Sequence, residues 1–185
     1  MSDTRVLVLL GSLRADSLNR QLAESLRDLA PAGTVIDIVD GLGDLPFYNE
    51  EIDHGDEVPA GARRLREQVA GADRVLAVTP EYNGTMPAVL NNAIDWLSRP
   101  YGANALRGKP FAALGATPTR FGGKWSHDDA RRSATVAGAQ VVADIVISES
   151  TVDRGDILED AEFVGRLFGA LDALVEHRGE SASAA

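Results

Sequence analysis

The sequence predicts an α/β domain in which a doubly wound sheet of five parallel strands lies between two layers of helices. Three observations carry this expectation. Short, nearly unbroken apolar runs recur along the chain, as strands buried on both faces require. Each run is followed by a segment with apolar residues at helical spacing, and the strand–helix alternation repeats five times. The length of 185 residues suits one such domain, placed at 1–178, with 179–185 as a frayed tail. Right-handed crossovers between parallel strands then give a three-layer αβα stack.

The elements follow in order. Residues 6–10, Val-Leu-Val-Leu-Leu, form the first strand and stop at Gly11. Leu18, Leu22, Leu26 and Leu29 mark the first helix, which Asp16 or Ser17 can cap because a side-chain oxygen accepts from its free N–H groups. The second strand, 35–39, alternates more and holds Asp37, which places it near an edge. Residues 41–59 form a long loop rich in glycine, proline and acids, and a loop of that length usually serves function. A short polar helix at 60–70 turns Leu65 and Val69 inward, and 75–79 is the third strand. The third helix carries Met86, Val89, Leu90, Ala93, Ile94 and Leu97, with Thr85 as N-cap and Pro87 in its first turn. Trp96 within it is read as packing, in the core or against a second subunit. Strand four is 111–114, a polar helix is expected at 126–138, and strand five at 141–147. Asp144 stands inside that last apolar run, where a carboxylate has no evident reason to be. Phe163, Val164, Leu167, Phe168, Leu171, Leu174 and Val175 make the final amphipathic helix.

Composition narrows the functional classes. The absence of cysteine removes disulfides, thiolate nucleophiles and cysteine-ligated metals, and fits a cytoplasmic protein. A net charge of −10 argues against nucleic acid or an anionic membrane as partner. No apolar run approaches the ~20 residues that span a bilayer, and the short polar start at 1–4 is expected to be no signal peptide. His54, His127 and His177 lack metal-ligand spacing, so no metal site is expected. Glu50, Glu51 and Asp53 read as a solvated loop face.

In such sheets ligands bind beyond the carboxyl ends of the strands, where the winding reverses. With strand order 2-1-3-4-5 that point lies at strands 1 and 3. The first loop there reads Gly11-Ser12-Leu13-Arg14-Ala15-Asp16-Ser17-Leu18-Asn19. Gly11 allows a sharp turn, Ser12, Ser17 and Asn19 offer neutral donors, and Arg14 offers a forked cation. The helix starting here aims its free N–H groups at the same place, which suits a phosphate monoester. The same residues also make an ordinary glycine turn into a capped helix. The second loop reads Thr79-Pro80-Glu81-Tyr82-Asn83-Gly84-Thr85-Met86-Pro87. Asn83-Gly84 is a strong turn signal that exposes backbone amides, and Tyr82 supplies an aromatic wall for a flat heterocycle. A plain strand-to-helix turn is the alternative. The third loop, 115–123, closes the far side of a flat ligand or is simply flexible.

Taken together, these segments resemble the NADPH-dependent FMN reductase family, which includes small flavodoxin-like quinone, chromate and azo-dye reductases. The resemblance rests on Gly-Ser-Leu-Arg-Ala-Asp-Ser-Leu-Asn at 11–19, Leu-Pro-Phe-Tyr-Asn-Glu-Glu at 45–51 and Thr-Pro-Glu-Tyr-Asn-Gly-Thr-Met-Pro at 79–87. It continues through Asn-Asn-Ala-Ile-Asp-Trp-Leu-Ser-Arg-Pro at 91–100 and Gly-Lys-Pro at 108–110, and weakens after about residue 150. It implies a flavodoxin-like fold, non-covalent FMN, and NADPH or NADH as co-substrate. It places Ser12, Arg14, Ser17 and Asn19 at the phosphate and ribityl chain. Pro80, Glu81, Tyr82, Asn83 and Gly84 would line the isoalloxazine, and Thr117 would be a third-loop contact. The flavin does the chemistry, so no side chain is expected to be catalytic. A small-molecule electron acceptor and a homodimer or homotetramer are also implied. Thr117-Pro118-Thr119 and Lys124-Trp125-Ser126 depart from the family pattern. A flavodoxin-type electron carrier and a flavin-free module of the same fold are the competing readings.

Overall fold

A computed structural model describes residues 3–178; the tail expected at 179–185 lies outside the described residues. The chain runs β1 (Thr4–Leu10), α1 (Leu18–Asp28), β2 (Thr34–Ile38), α2 (Ala60–Ala70), β3 (Arg74–Val78), α3 (Ala88–Leu97), β4 (Pro110–Thr117), α4 (Lys124–Val136), β5 (Gln140–Val141), β6 (Ile147–Ser150) and α5 (Ala161–Glu176). All strand pairs are parallel, in the order β2-β1-β3-β4-β5, with β6 also on β4. The doubly wound order anticipated above is the order observed, and β2 is an edge strand.

The two-residue period of the strands sorts the core into two layers. Val6, Val8 and Leu10 of β1 face Leu22 and Leu26 of α1 and Phe163, Leu167 and Leu171 of α5. Leu7 and Leu9 face the opposite layer, with Leu65 of α2, Leu90 and Leu97 of α3, and Ala130 of α4. Because helices cover both faces, the buried stretches of the central strands, residues 6–10 and 75–78, are apolar at every position, which explains the unbroken runs.

Strand five departs from expectation. It is not one strand over 141–147 but two short ones, which pair with different stretches of β4. Gln140 and Val141 of β5 match Pro110 and Phe111, whereas Ile147–Ser150 match Leu114–Thr117. Between them the chain turns at residues 143–144, and Asp144 lies exposed in that turn. A carboxylate in the middle of a buried strand would go unsatisfied; in the turn it is solvated. Val142 and Ile145 on either side still reach the core.

Two helix starts also shift. α3 begins at Ala88 with Pro87 in the N-cap position, so neither Thr85 nor Met86 is helical. α4 begins at Lys124, two residues earlier than the polar helix expected at 126–138, and ends at Val136. The loop at 41–59 is built from three short 3₁₀ turns and is fastened to α2 and α3. Trp96 is fully buried and donates through Nε1 to the Pro46 carbonyl at 2.8 Å. Asn92 holds the same loop from Tyr48 N–H and the Pro46 carbonyl. Asp53 is no solvated acid: it forms a two-pronged pair with Arg66 at 2.7 and 2.8 Å, which holds its carboxyl below the usual range.

Candidate active site at the strand ends

The carboxyl ends of β1, β3 and β4 lie side by side, because Leu10 pairs with Val78 and Val78 with Leu114. The next residue in each strand direction is therefore Gly11, Thr79 and Gly115. These three are packed without spare room. A Cβ on Gly11 would stand 2.2 Å from Thr79 Oγ1, and one on Gly115 2.3 Å from the Thr79 carbonyl oxygen. The glycines are what allow the loops to leave the sheet in register.

The first loop offers a set of unused donors. Ser17 occupies the N-cap of α1, yet its hydroxyl makes no cap bond. The first intrahelical bond runs from Gln21 N–H to the Ser17 carbonyl. Among the described residues, the amides of Leu18, Asn19 and Arg20 have no acceptor. Ser12 and Ser17 are nearly buried, and Arg14 is exposed at the rim. Two inward hydroxyls, three helix amides and a guanidinium form a donor set suited to a phosphate. Asn19 is different from the others. Its side chain bridges to β4, donating to the Ala116 carbonyl at 2.8 Å and accepting from the Ala116 amide at 3.0 Å. What Asn19 offers a ligand is its backbone N–H; its carboxamide fixes the spacing between α1 and β4.

The second loop is a tight hairpin turn. Tyr82 and Thr85 exchange two backbone bonds, with Asn83 and Gly84 both at positive φ, 54° and 75°. That is the geometry for which Asn-Gly is favoured. Among the described residues the amides of Glu81, Asn83 and Gly84 have no acceptor, and Tyr82 is half exposed. The loop is held from the far side by the start of α4. Glu81 accepts from the Trp125 amide at 3.0 Å, and Ser126 Oγ donates to the Pro80 carbonyl at 2.7 Å. Thr85 Oγ1 donates to Asp129 at 2.5 Å. Thr117 ends β4 nearly buried, its hydroxyl 2.7 Å from that of Thr119.

His127 was not singled out by its sequence context, and the structure gives it a role. It is fully buried, with Nε2 at 3.0 Å from the Thr79 carbonyl and Nδ1 at 2.7 Å from Ser148 Oγ. A carbonyl only accepts, so the proton sits on Nε2 and Nδ1 accepts from the serine. Burial pulls its pKa down from 6.5 to about 4, so the ring is neutral around pH 7. Its partners lie 48 and 21 residues away, so no local motif announces it.

Residues 4–153 match the model of a family described as NADPH-dependent FMN reductase. The chain belongs to that family. It is 47% identical over 118 residues to a 2-hydroxy-1,4-benzoquinone reductase of Burkholderia sp, covering 64% of this chain and 63% of that protein. It is 44% identical over 128 residues to a quinone reductase of Pseudomonas putida, covering 69% and 68%. The aligned part thus spans just under two thirds of the Burkholderia relative's length. Among solved structures, the flavoenzyme NAD(P)H:(acceptor) oxidoreductase FerB from Paracoccus denitrificans superposes with a TM-score of 0.77 at 30% identity, covering 94% of this chain and 98% of that one. The doubly wound fold expected from the strand–helix alternation, and the family expected from the segments at 11–19, 45–51, 79–87 and 91–100, stand. Among the described residues no helix is long and apolar enough to cross a membrane.

The residues fit FMN on structural grounds. The first loop presents neutral and cationic donors without acceptors, and the second presents three amides without acceptors beside an aromatic ring. One end suits a phosphate and the other suits the carbonyl and nitrogen edge of a flat heterocycle.

Proposed function

We propose that this chain is an FMN-dependent NAD(P)H oxidoreductase that passes hydride from NAD(P)H through FMN to a quinone-type acceptor. The observation that carries this reading is the pairing of two unsatisfied donor sets on adjacent strand ends, one built for a phosphate and one for a flat ring. FMN, when bound, supplies the redox chemistry. The Ser12 and Ser17 hydroxyls, the Arg14 guanidinium and the first amides of α1, Asn19 among them, hold the phosphate end. The amides of Glu81, Asn83 and Gly84 donate to the ring edge, where negative charge grows on reduction, and act in the manner of an oxyanion hole. Pro80 stiffens this loop, Tyr82 walls it, and Thr117 closes the β4 side. Substrates exchange over one open face, so NAD(P)H and acceptor take turns and the kinetics are ping-pong. No side chain acts as a required acid or base.

The printed names of the relatives support a quinone as acceptor. Residues 1–178 act as one FMN-binding domain, working in the cytoplasm as a homodimer or homotetramer. The exposed Phe47 and Tyr101 side chains support that assembly. The test is an absorbance spectrum of the purified protein followed by anaerobic NADPH. A flavin spectrum that bleaches is the expected result. A flavin that stays oxidised would turn the reading to an electron carrier, and no flavin uptake at all would leave the fold without the site.

A further inference from the structure

Trp125 and Phe121 stand beside the proposed flavin shelf and are unexplained by anything above. Their rings lie 4.8 Å apart at 38°, and each is about half exposed, 47% and 48%. The chain has two tryptophans, and the other, Trp96, is fully buried. Two large aromatic rings in mutual contact, left half in water next to the Tyr82–Thr85 turn, form a flat apolar face on which a ligand can stack.

The pair is placed with care. A Cβ built on Gly84 would lie 3.5 Å from the Trp125 ring, so the indole rests against the tip of the Tyr82–Thr85 turn. The Trp125 amide donates to Glu81 of the same loop. Gly122 is wedged against β6, where a Cβ would stand 2.2 Å from the Ser148 carbonyl oxygen. The Lys124 amide donates to the Phe121 carbonyl at 3.1 Å. The backbone under both rings is therefore fixed, and the rings form a wall rather than a loose flap. The Arg120 guanidinium lies 5.7 Å from the Phe121 ring and has no acidic partner among the described residues.

We propose that Trp125 and Phe121 form the acceptor-stacking wall of this enzyme and select flat, aromatic-sized quinones over compact inorganic oxidants. The inference rests on the FMN reductase reading above and names the substrate class of that site. The chemistry matches: an electron-rich indole stacks on an electron-poor quinone ring, and Arg120 is available to a quinone oxygen. A small oxyanion or metal complex has no flat face to give the wall.

The test uses the FMN-loaded protein in its oxidised form, where a quinone binds without turning over. 1,4-Naphthoquinone is titrated against the flavin absorption band for the wild type, Trp125→Ala and Trp125→Phe. Loss of the indole should weaken naphthoquinone binding about three- to tenfold, the range for one aromatic contact, and phenylalanine should recover most of it. FMN affinity should be unchanged in both variants, and turnover with ferricyanide, which has no flat face to stack, should fall less than turnover with naphthoquinone. Equal naphthoquinone affinity in wild type and Trp125→Ala, with FMN bound in each, overturns the wall while leaving the reductase intact. A fall in ferricyanide turnover as large as the loss of quinone affinity also overturns it, since the change would then lie in the flavin site and not in the wall. A wild-type protein that takes up no FMN overturns the reductase reading itself and the wall with it.

Discussion

Acidification should strip stability from this fold through one residue, His127. In the folded chain the imidazole is buried and its pKa is drawn from 6.5 to about 4. In the unfolded chain it returns to the ordinary value. Between those two pH values the unfolded state binds a proton that the folded state refuses, so stability falls as pH falls. Above about pH 6.5 the contribution is complete, and by about pH 4 it is gone. At about 1.4 kcal/mol per pH unit the loss amounts to about 3 kcal/mol, a large share of the ~5–15 kcal/mol typical of a domain. Burial is the main cause; Arg131 pushes in the same direction, and the Thr79 bond and Asp128 oppose it. The assay is urea unfolding of the wild type and His127→Gln across this window. Glutamine can still donate to the Thr79 carbonyl but cannot titrate. The stability of the wild type relative to the variant should decline by about 3 kcal/mol from neutral to acid pH. Asp28, Asp53, Asp128 and Asp160 all have lowered pKa values and titrate mainly below this window, and they are common to both proteins. A difference that stays constant over the window would refute the buried neutral imidazole.

Two further outcomes follow from the same geometry. Arg14→Ala should weaken FMN binding about ten- to a hundredfold, the value of one charged hydrogen bond, while riboflavin, which lacks the phosphate, should bind as before in a fluorescence titration; equal weakening for both would move Arg14 away from the phosphate. Gly115→Ala should lower the melting temperature, with a cost of about 1–3 kcal/mol for the overlap, because its Cβ would stand 2.3 Å from the Thr79 carbonyl oxygen and 2.5 Å from Asn19 Oδ1. An unchanged melting temperature would mean that the three strand ends are looser than described.

The fold was legible because a sheet covered on both faces writes itself as continuous apolar runs, and β1 and β3 are such runs. Strand five was legible in position and not in form. Its apolar run continues across residues 142–146 because Val142 and Ile145 stay buried while the backbone leaves the sheet, so hydropathy sees no break. Asp144 was the one mark of the turn. In the first loop the sequence showed polar donors gathered at a strand end, and the structure leaves the Ser17 hydroxyl and the first amides of α1 without acceptors among the described residues. Asn19 shows the limit of that reasoning, since a buried carboxamide binding a strand 97 residues away has the same local sequence as one binding a ligand. Trp125 and His127 depend wholly on tertiary placement and left no periodicity to read.

The start of α4 brings these observations together. Trp125, Ser126, His127 and Asp129 each bond to a different part of one segment: Glu81, Pro80, Thr79 and Thr85. The loop proposed to meet the flavin ring is thus held in shape by four residues that need not touch the flavin. These bonds lie on the carbonyls and side chains of Thr79, Pro80, Glu81 and Thr85, and leave the amides of Glu81, Asn83 and Gly84 unused. The third loop and the head of α4, where the sequence departs from its family, therefore act on the second loop from behind as well as on the acceptor from beside. A substitution there changes how rigidly Glu81, Asn83 and Gly84 present their N–H groups before it changes anything at the phosphate. Damage at α4 should accordingly appear first in ring-edge properties such as the flavin's potential, with the affinity for its phosphate end spared.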